Sequence, residues 1–204
     1  MCRFTTINIM NNIFLIEKAI KESAEIKLKI LENQAALSLI DIIAEEIASA
    51  LKNGKKVLFC GNGGSAADAQ HLAAELSGRF YFDREPLSAE ALHVNTSFLT
   101  AVANDYSYSE VFSRLVKANG REGDVLVAIS CSGNSLNILK AIETANNLKI
   151  ITVGLAGQTG GKMRDACKYI IQVPSTDTPR IQESHILIGH IICEIIEKSM
   201  SKKP

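Results

Sequence analysis

The sequence has 204 residues, enough for one sizeable α/β domain, whereas two independent cores would each lie near the lower end of usual domain sizes. Lys plus Arg and Asp plus Glu both number 22, so no excess of positive charge is available to neutralise a nucleic-acid backbone, and nucleic acid is excluded as the expected partner. A small anionic ligand is not excluded, because a local cluster of donors can bind a phosphate without net charge.

The five cysteines are odd in number and widely spaced, with no CxxC pair and no secretory signal ahead of them. This usage is typical of reduced thiols in an intracellular protein. The longest apolar stretches are broken by charge well before the roughly 18 residues of a membrane span. We therefore expect a cytoplasmic protein without a membrane segment. The hydrophobic content of 47% also predicts apolar surface that is buried between subunits.

The N-terminal part has a helical pattern from about residue 12 to residue 52, with apolar side chains mostly three and four residues apart. Asn33 is a plausible break between two helices, and Asn53-Gly54 provides a helix end. Because no strand follows locally for these helices to cover, they must pack on the body of the domain or on another copy of the chain.

After Gly54 the pattern changes to short, continuous apolar runs that alternate with helical stretches, and a last helix is predicted at about 178–199. Continuous runs separated by helices indicate a parallel sheet covered on both faces. The expected fold is a doubly wound α/β domain around a five-stranded parallel, flavodoxin-like sheet. We expect one domain over residues 1–204, with N-terminal helices for oligomerisation at about 12–52 and an α/β body at 55–200. The five runs are 56–60, 89–94, 124–129, 149–155 and 169–173.

In such a sheet ligands bind beyond the carboxyl ends of the strands, and two of the loops predicted there are unusual. The first is Gly61-Asn62-Gly63-Gly64-Ser65, whose glycines allow a sharp turn and a close approach of ligand to backbone. It lacks the Lys of a Walker A loop and the full GxGxxG spacing. The alternative interpretation is a tight turn with an Asn or Ser helix cap.

The second loop is Ser130-Cys131-Ser132-Gly133-Asn134-Ser135, which follows the run 124–129 and precedes a helix. Its hydroxyl groups and free backbone N–H groups would converge at the positive end of a helix dipole. A simple helix cap needs only one hydroxyl, whereas this loop offers three. We interpret it as a site for a phosphate monoester.

The GNGGS loop, followed some seventy residues later by SxSGNS, resembles the SIS (sugar isomerase) family of phosphosugar isomerases and phosphosugar-binding regulators. Within that family, the combination of polar residues around these loops is similar to the phosphoheptose isomerases, and the similarity extends from about residue 13 to residue 198. Cys131 stands where relatives often have Thr, and Pro179 where some carry a polar residue. The residues that carry the resemblance are His71, Glu75, Arg79, Asn104, Asp105, Gln182 and His190.

The resemblance implies conversion of D-sedoheptulose 7-phosphate, a phosphorylated seven-carbon ketose, into D-glycero-D-manno-heptose 7-phosphate, the first step of bacterial surface heptose synthesis. Such an isomerisation needs a base, an acid and a grip on the distant phosphate. Glu75 is the candidate base and His190 the candidate acid. The candidate substrate-binding residues are Asn62, Gly63, Gly64, Ser65, Glu75, Arg79, Asn104, Asp105, Ser130, Cys131, Ser132, Ser135 and Gln182.

The set His71, Glu75, Gln182 and His190 also has the mixed N and O ligands that suit Zn²⁺, and members of the family bind zinc there. A Glu75 bound to metal would be a weaker base, so the two roles compete. Gln182 and His190 are eight residues apart, about 12 Å along one helix. They can bind one ion only if both side chains reach toward each other, or if a neighbouring subunit contributes. The resemblance further implies a homotetramer with sites at subunit boundaries.

Other interpretations stay open from the residues alone. His71 and Glu75 could be a stabilising i,i+4 surface pair, and His190 could be a core or interface histidine, as we expect for His93 and His185. The alternative function is a non-enzymatic SIS protein that binds a phosphosugar or associates with a replication initiator; His190 favours the enzyme. A sugar-sensing transcription factor is disfavoured, because no helix-turn-helix segment or basic arm is present.

Overall fold

The structure is a computed structural model that describes residues 3–200, with side chains from residue 12 onward. Two long helices come first, α1 Arg3–Glu32 and α2 Gln34–Lys52. Strands and helices then alternate: β1 Val57–Gly61, α3 Gly64–Ser77, β2 Ala89–Ala91, α4 Thr96–Asp105, a 3-10 turn Tyr108–Glu110, α5 Val111–Asn119, β3 Val125–Ser130, α6 Leu136–Asn147, β4 Ile151–Ala156, α7 Met163–Ala166, β5 Tyr169–Gln172 and α8 Thr178–Met200.

The five strands form one parallel sheet in the order β2-β1-β3-β4-β5. Every residue of β1 and β3 is buried, because helices cover both faces of the sheet. Side chains of alternate strand residues enter two separate cores: Val57 and Phe59 contact the face covered by α2, α3 and α8, while Leu58 and Cys60 contact the face covered by α4 to α7. The predicted doubly wound parallel α/β fold is confirmed.

The strand order reverses direction at β1, since β2 lies on one side of β1 and β3 on the other. This reversal leaves a crevice between the carboxyl ends of β1 and β3, where ligands bind in open α/β sheets. The loop 61–64 follows β1 and the loop 131–135 follows β3. The two polar loops found in the sequence therefore meet at the position where this topology favours a site.

The two N-terminal helices are separated at Asn33, as the sequence predicts. The Asn33 side chain accepts a hydrogen bond from the Ala36 N–H at 3.1 Å, so it caps the start of α2. Helix α2 is buried on the body through Ile40, Ile43 and Ile47. Helix α1 contacts the body much less, and it leaves a row of large apolar side chains exposed: Ile13, Phe14, Leu15, Ile16, Ile20, Leu28 and Leu31.

One element differs from its expected bounds. The predicted run 89–94 forms a strand only over Ala89–Ala91, because residues 92–94 turn and the Asn95 side chain caps α4 by accepting from the Phe98 N–H.

His185 is fully buried on α8, and burial lowers its pKa to about 4 although the Ala156 carbonyl partly offsets this effect. His185 is therefore neutral at pH 7, in agreement with a structural role. Over the described residues, no helix is long and apolar enough to cross a membrane.

Candidate active site

The loop between β1 and α3 requires its glycines for steric reasons. Gly63, which precedes α3, has a φ of +56°, a value that residues with a side chain rarely adopt. A Cβ on Gly61 would lie 2.2 Å from the Ser65 carbonyl oxygen, and a Cβ on Gly64 would lie 2.5 Å from the Gln182 amide nitrogen. The loop thus folds tightly onto the first turn of α3 and lies against the start of α8.

Asn62 connects the loop after β1 to the loop after β3. Its side-chain amide makes two reciprocal hydrogen bonds with the amide of Asn137, at 2.9 and 2.8 Å. The Asn62 oxygen also accepts from the Tyr108 hydroxyl at 3.0 Å. Since Asn137 is buried, this network fixes the relative position of the two loops and leaves Asn62 at the edge of the crevice.

The serine loop after β3 is equally constrained. Gly133 has a φ of +64°, and a Cβ there would lie 2.0 Å from the Gly160 carbonyl oxygen. The Ser130 and Ser135 hydroxyl oxygens are 3.2 Å apart, and the Ser132 hydroxyl accepts from the Asn134 N–H. Ser135 is the residue before α6, but its side chain makes no capping hydrogen bond. Its hydroxyl is therefore available to a ligand.

The two loops line a cavity of about 250 Å³, the anion cavity. Three helices begin at this cavity, because its lining includes Ser65 of α3, Ser135 just before α6 and Thr178 of α8. Helix N-termini present free N–H groups and a partial positive charge, so their convergence suits a dianion without any Lys or Arg in the lining. The lining residues are Asn62, Ser65, Ile129, Ser130, Cys131, Ser132, Ser135, Thr178 and Gln182.

Cys131 lies in the wall that this cavity shares with a second polar cavity of about 300 Å³. Burial raises the pKa of the Cys131 thiol, and the nearby Ser65 hydroxyl only partly offsets this rise. The thiol is therefore neutral at pH 7 and contributes its shape rather than a charge to the lining.

A second group of polar side chains lies between α3 and α8, which run side by side. Their close approach is set by Gly189, since a Cβ there would lie 2.6 Å from Leu72. The His71 Nε2 atom is 2.9 Å from Glu75 Oε1 and 3.4 Å from His190 Nε2. The ligand atoms of His71, Glu75 and His190 all lie within 4.8 Å of one another. One chain is sufficient to bring these three together.

Gln182, the fourth residue of the expected metal set, lies at the other end of the helix pair. Its amide contacts Gly64 and lines the anion cavity. His190 is eight residues further along α8, a distance of about 12 Å at 1.5 Å per residue. The structure therefore groups three of the four residues around one point and assigns Gln182 to the wall of the anion cavity.

Three further residues expected at the site lie outside both groups. Arg79 is exposed just after α3. Asn104 and Asp105 are exposed at the end of α4, where the Asn104 amide donates to the Asp105 carboxylate at 2.9 Å. Sequence patterns did not identify Asn137, Tyr108 or Thr178, which the structure adds to the site. Two of them had a local indication in the sequence, because Asn137 and Thr178 are polar residues at the starts of helices that follow strands.

The comparisons with known proteins agree with this geometry. The SIS domain family matches residues 20–157. The phosphoheptose isomerase of Aneurinibacillus thermoaerophilus is 53% identical over 185 residues, 91% of this chain and 93% of that protein. The solved phosphoheptose isomerase of Neisseria gonorrhoeae is 41% identical with a TM-score of 0.84, covering 90% of this chain and 97% of that one. That of Francisella tularensis is 36% identical with a TM-score of 0.86, covering 92% and 98%.

The fold and the two glycine- and serine-rich loops thus define an SIS-domain protein. Sequence identity of this degree over about nine-tenths of both chains identifies a narrower family than the SIS domain alone. The chain belongs to the phosphoheptose isomerase family, and the resemblance seen in the sequence is confirmed.

Proposed function

We propose that this protein is a sedoheptulose 7-phosphate isomerase, which converts that ketose into D-glycero-D-manno-heptose 7-phosphate as the first step of surface heptose synthesis. The observation that carries the proposal is the arrangement of two groups along one helix pair. The anion cavity lies at the N-termini of α3 and α8, and the cluster of His71, Glu75 and His190 lies about 10 Å further along α3, seven residues at 1.5 Å each. An extended sugar phosphate spans such a separation.

The phosphate end of the substrate is bound by the serine loop. The hydroxyls of Ser130, Ser132 and Ser135 donate to the phosphate oxygens, supported by the N-termini of α3, α6 and α8. Asn62, Ser65 and Gln182 are within the same lining and contact the sugar, while Gly63 and Gly64 allow its approach to the backbone. Arg79, Asn104 and Asp105 lie outside both groups and are proposed as further contacts from the sequence resemblance alone.

The reacting end of the sugar lies at the His71, Glu75 and His190 cluster. Glu75 removes a proton from C1 of the ketose and returns it to C2, while His190 protonates the C2 oxygen and accepts the proton of the C1 hydroxyl. Of the two Glu75 carboxylate oxygens, only Oε1 has a hydrogen-bond partner among the described residues, the His71 Nε2 atom. Oε2 is therefore the oxygen that can accept the substrate proton.

The same cluster fits a zinc ion. Two ligand atoms bound to a tetrahedral Zn²⁺ at 2.0–2.1 Å stand about 3.4 Å apart, which matches the distance of 3.4 Å between His71 Nε2 and His190 Nε2. His71, Glu75 and His190 would hold the ion. Gln182 would be a fourth ligand only if its side chain and that of His190 reach toward each other, or if a neighbouring subunit contributes it. When bound, zinc polarises the carbonyl oxygen. An atom of Glu75 or His190 that bound the ion would not be available for proton transfer, so for both residues the ligand role and the proton-transfer role compete.

We further propose that the protein is a cytoplasmic homotetramer. The exposed apolar row on α1 supports this assembly, because seven large apolar side chains on one helix are unfavourable in water and closed symmetric pairing would bury them. The α1 helices would form the shared interface, and the α/β bodies would lie outside it.

The experiment that separates an isomerase from a phosphosugar-binding protein is a turnover count. Purified protein is incubated with a large excess of sedoheptulose 7-phosphate, with and without a chelator, and the remaining ketose is measured. Conversion of many equivalents per subunit is expected. Saturable binding of one equivalent without conversion would favour the non-enzymatic alternative, and loss of turnover with the chelator would support the metal.

Replacing Ser132 by Ala should raise KM for the ketose phosphate by about tenfold or more and leave kcat nearly unchanged. One oriented donor to a dianion is lost in the ground and transition states alike, and hydrogen bonds to charged groups contribute about 1.5–3 kcal/mol. Steady-state kinetics of a folded variant measure this. The control is Ser88→Ala, an exposed serine just before β2, at the opposite end of the sheet from the two loops. An unchanged KM would remove the phosphate from the serine loop.

A further inference from the structure

A buried ion pair lies beside the proposed proton-transfer residues and is not among the candidate site residues. Glu197 on α8 is fully buried, and its Oε1 accepts from Arg84 Nε at 3.0 Å. The Arg84 side chain is 8% exposed. Charged side chains are rarely buried so deeply unless every polar atom has a partner, so the partners of this pair indicate what it holds in place.

The carboxylate of Glu197 binds the backbone of the segment that leaves α3. It accepts from three successive N–H groups, those of Phe80 at 2.9 Å, Tyr81 at 2.6 Å and Phe82 at 3.1 Å. Burial acts to raise the pKa of Glu197, but these three hydrogen bonds and the charge of Arg84 lower it below its usual value. The carboxylate is therefore ionised and fixes the position of residues 80–82.

The guanidinium of Arg84 binds the carboxyl end of α3. It donates to the backbone carbonyl of Glu75 at 2.8 Å, to that of Leu76 at 2.9 Å and to that of Gly78 at 3.3 Å. The first two belong to the last turn of α3, whose carbonyls have no donor within the helix, and one of them belongs to the proposed base itself. Arg84 therefore restrains the backbone from which the Glu75 side chain extends.

Glu197 is also placed to restrain His190. The two residues are seven apart on α8, two turns along the same face. Phe80, whose N–H donates to Glu197, has its ring 5.7 Å from the His190 ring at an angle of 31°. The pair thus joins the end of α3 that carries Glu75 to the part of α8 that carries His190, both through hydrogen bonds and through the Phe80 ring.

We propose that Arg84 and Glu197 are positioning residues for the isomerisation, which set the separation of Glu75 from His190 without touching the substrate. This inference rests on the proposed function. Proton transfer depends steeply on such a separation, since a misplacement of 1 Å can cost about a hundredfold in rate. The phosphate contacts lie at the opposite ends of α3 and α8, so substrate affinity should depend little on the pair.

The test compares kcat and KM in three variants. Glu197→Gln should lower kcat by about ten- to a hundredfold and change KM by less than about threefold. Arg84→Lys keeps the charge opposite Glu197 but loses the fork that binds several carbonyls, so it remains folded if Glu197→Gln does not, and it should lower kcat by about tenfold. Glu194→Gln, which removes a partly exposed carboxylate one turn earlier on α8, is the matched control and should be unchanged.

A merely structural pair would lower the melting temperature of the variants and leave kcat per folded molecule at the wild-type value; that result, or a raised KM at unchanged kcat, would overturn the proposal. Amide hydrogen exchange provides a readout that needs no turnover. Exchange at residues 75–82 should accelerate in both variants, while residues 64–68 at the start of α3 stay unchanged. Wild-type protein without isomerase activity would contradict the proposed function alone, and unchanged exchange at 75–82 would then overturn the positioning role.

Discussion

Replacing Glu75 by Gln is expected to lower kcat for sedoheptulose 7-phosphate by about two orders of magnitude or more, the usual contribution of a general base. Gln keeps the shape of the side chain and can still contact His71, but its amide accepts no proton from a carbon atom. KM should change little, because the proposed phosphate contacts of the serine loop are about two helical turns away. Steady-state kinetics with Glu90→Gln, an exposed carboxylate on β2, as the control provide the measurement.

A Glu75→Gln variant that retains a tenth of the wild-type kcat would exclude Glu75 as the base. Zinc content, measured on the same samples, separates the two roles of this residue. Activity lost while zinc is retained assigns Glu75 as the base, whereas loss of both together would assign it mainly as a ligand.

Deleting residues 1–33 is expected to dissociate the oligomer and to abolish activity together, although no proposed catalytic residue is removed. The deletion removes the exposed apolar row on α1. It also removes two hydrogen bonds to α8: Arg180 donates to the Ala19 carbonyl at 2.8 Å, and Ser23 donates to Glu183 at 2.7 Å. Arg180 and Glu183 flank Gln182, so the start of α8 at the anion cavity would lose its support.

Light scattering combined with the turnover assay measures this result. A less drastic version replaces Ile16 and Ile20, exposed one turn apart on α1, by Asp, with Lys21→Asp as a control for added negative charge on the same helix. The double variant should dissociate and the control should not. An active monomer, whether full-length or truncated, would contradict both the tetramer and the dependence of the site on it.

The architecture was largely predictable because its signals are local. Buried parallel strands read as continuous apolar runs, and the break at Asn33 is a helix cap that depends on residues within three positions. The boundaries of the last helix and of four strands were predicted to within about two residues. The short β2 was overestimated, because residues 92–94 are as apolar as a strand but are followed by the Asn95 cap of α4.

The site was predictable only in part, because only some of its signals are local in the sequence. The two loops carry their chemistry in consecutive residues, so they could be found without a structure. Arg84 and Glu197 are 113 residues apart, and neither stands in a pattern that predicts a partner. Glu197 lies one turn after Cys193 on the buried face of α8. A charge at such a position predicts a buried partner, but the partner is identified only when α3 and α8 are brought together. The separation of Gln182 from His190 was predictable from helix geometry.

The central claim, isomerisation through an enediol at the His71, Glu75 and His190 cluster, is tested most directly by following the reaction in D₂O by NMR. The account predicts that D-glycero-D-manno-heptose 7-phosphate accumulates well beyond one equivalent of protein. It also predicts deuterium at C2 in at least part of the product, because the proton delivered there comes from a carboxyl group that exchanges with solvent. The absence of any aldose product from folded, zinc-supplied protein would contradict the account.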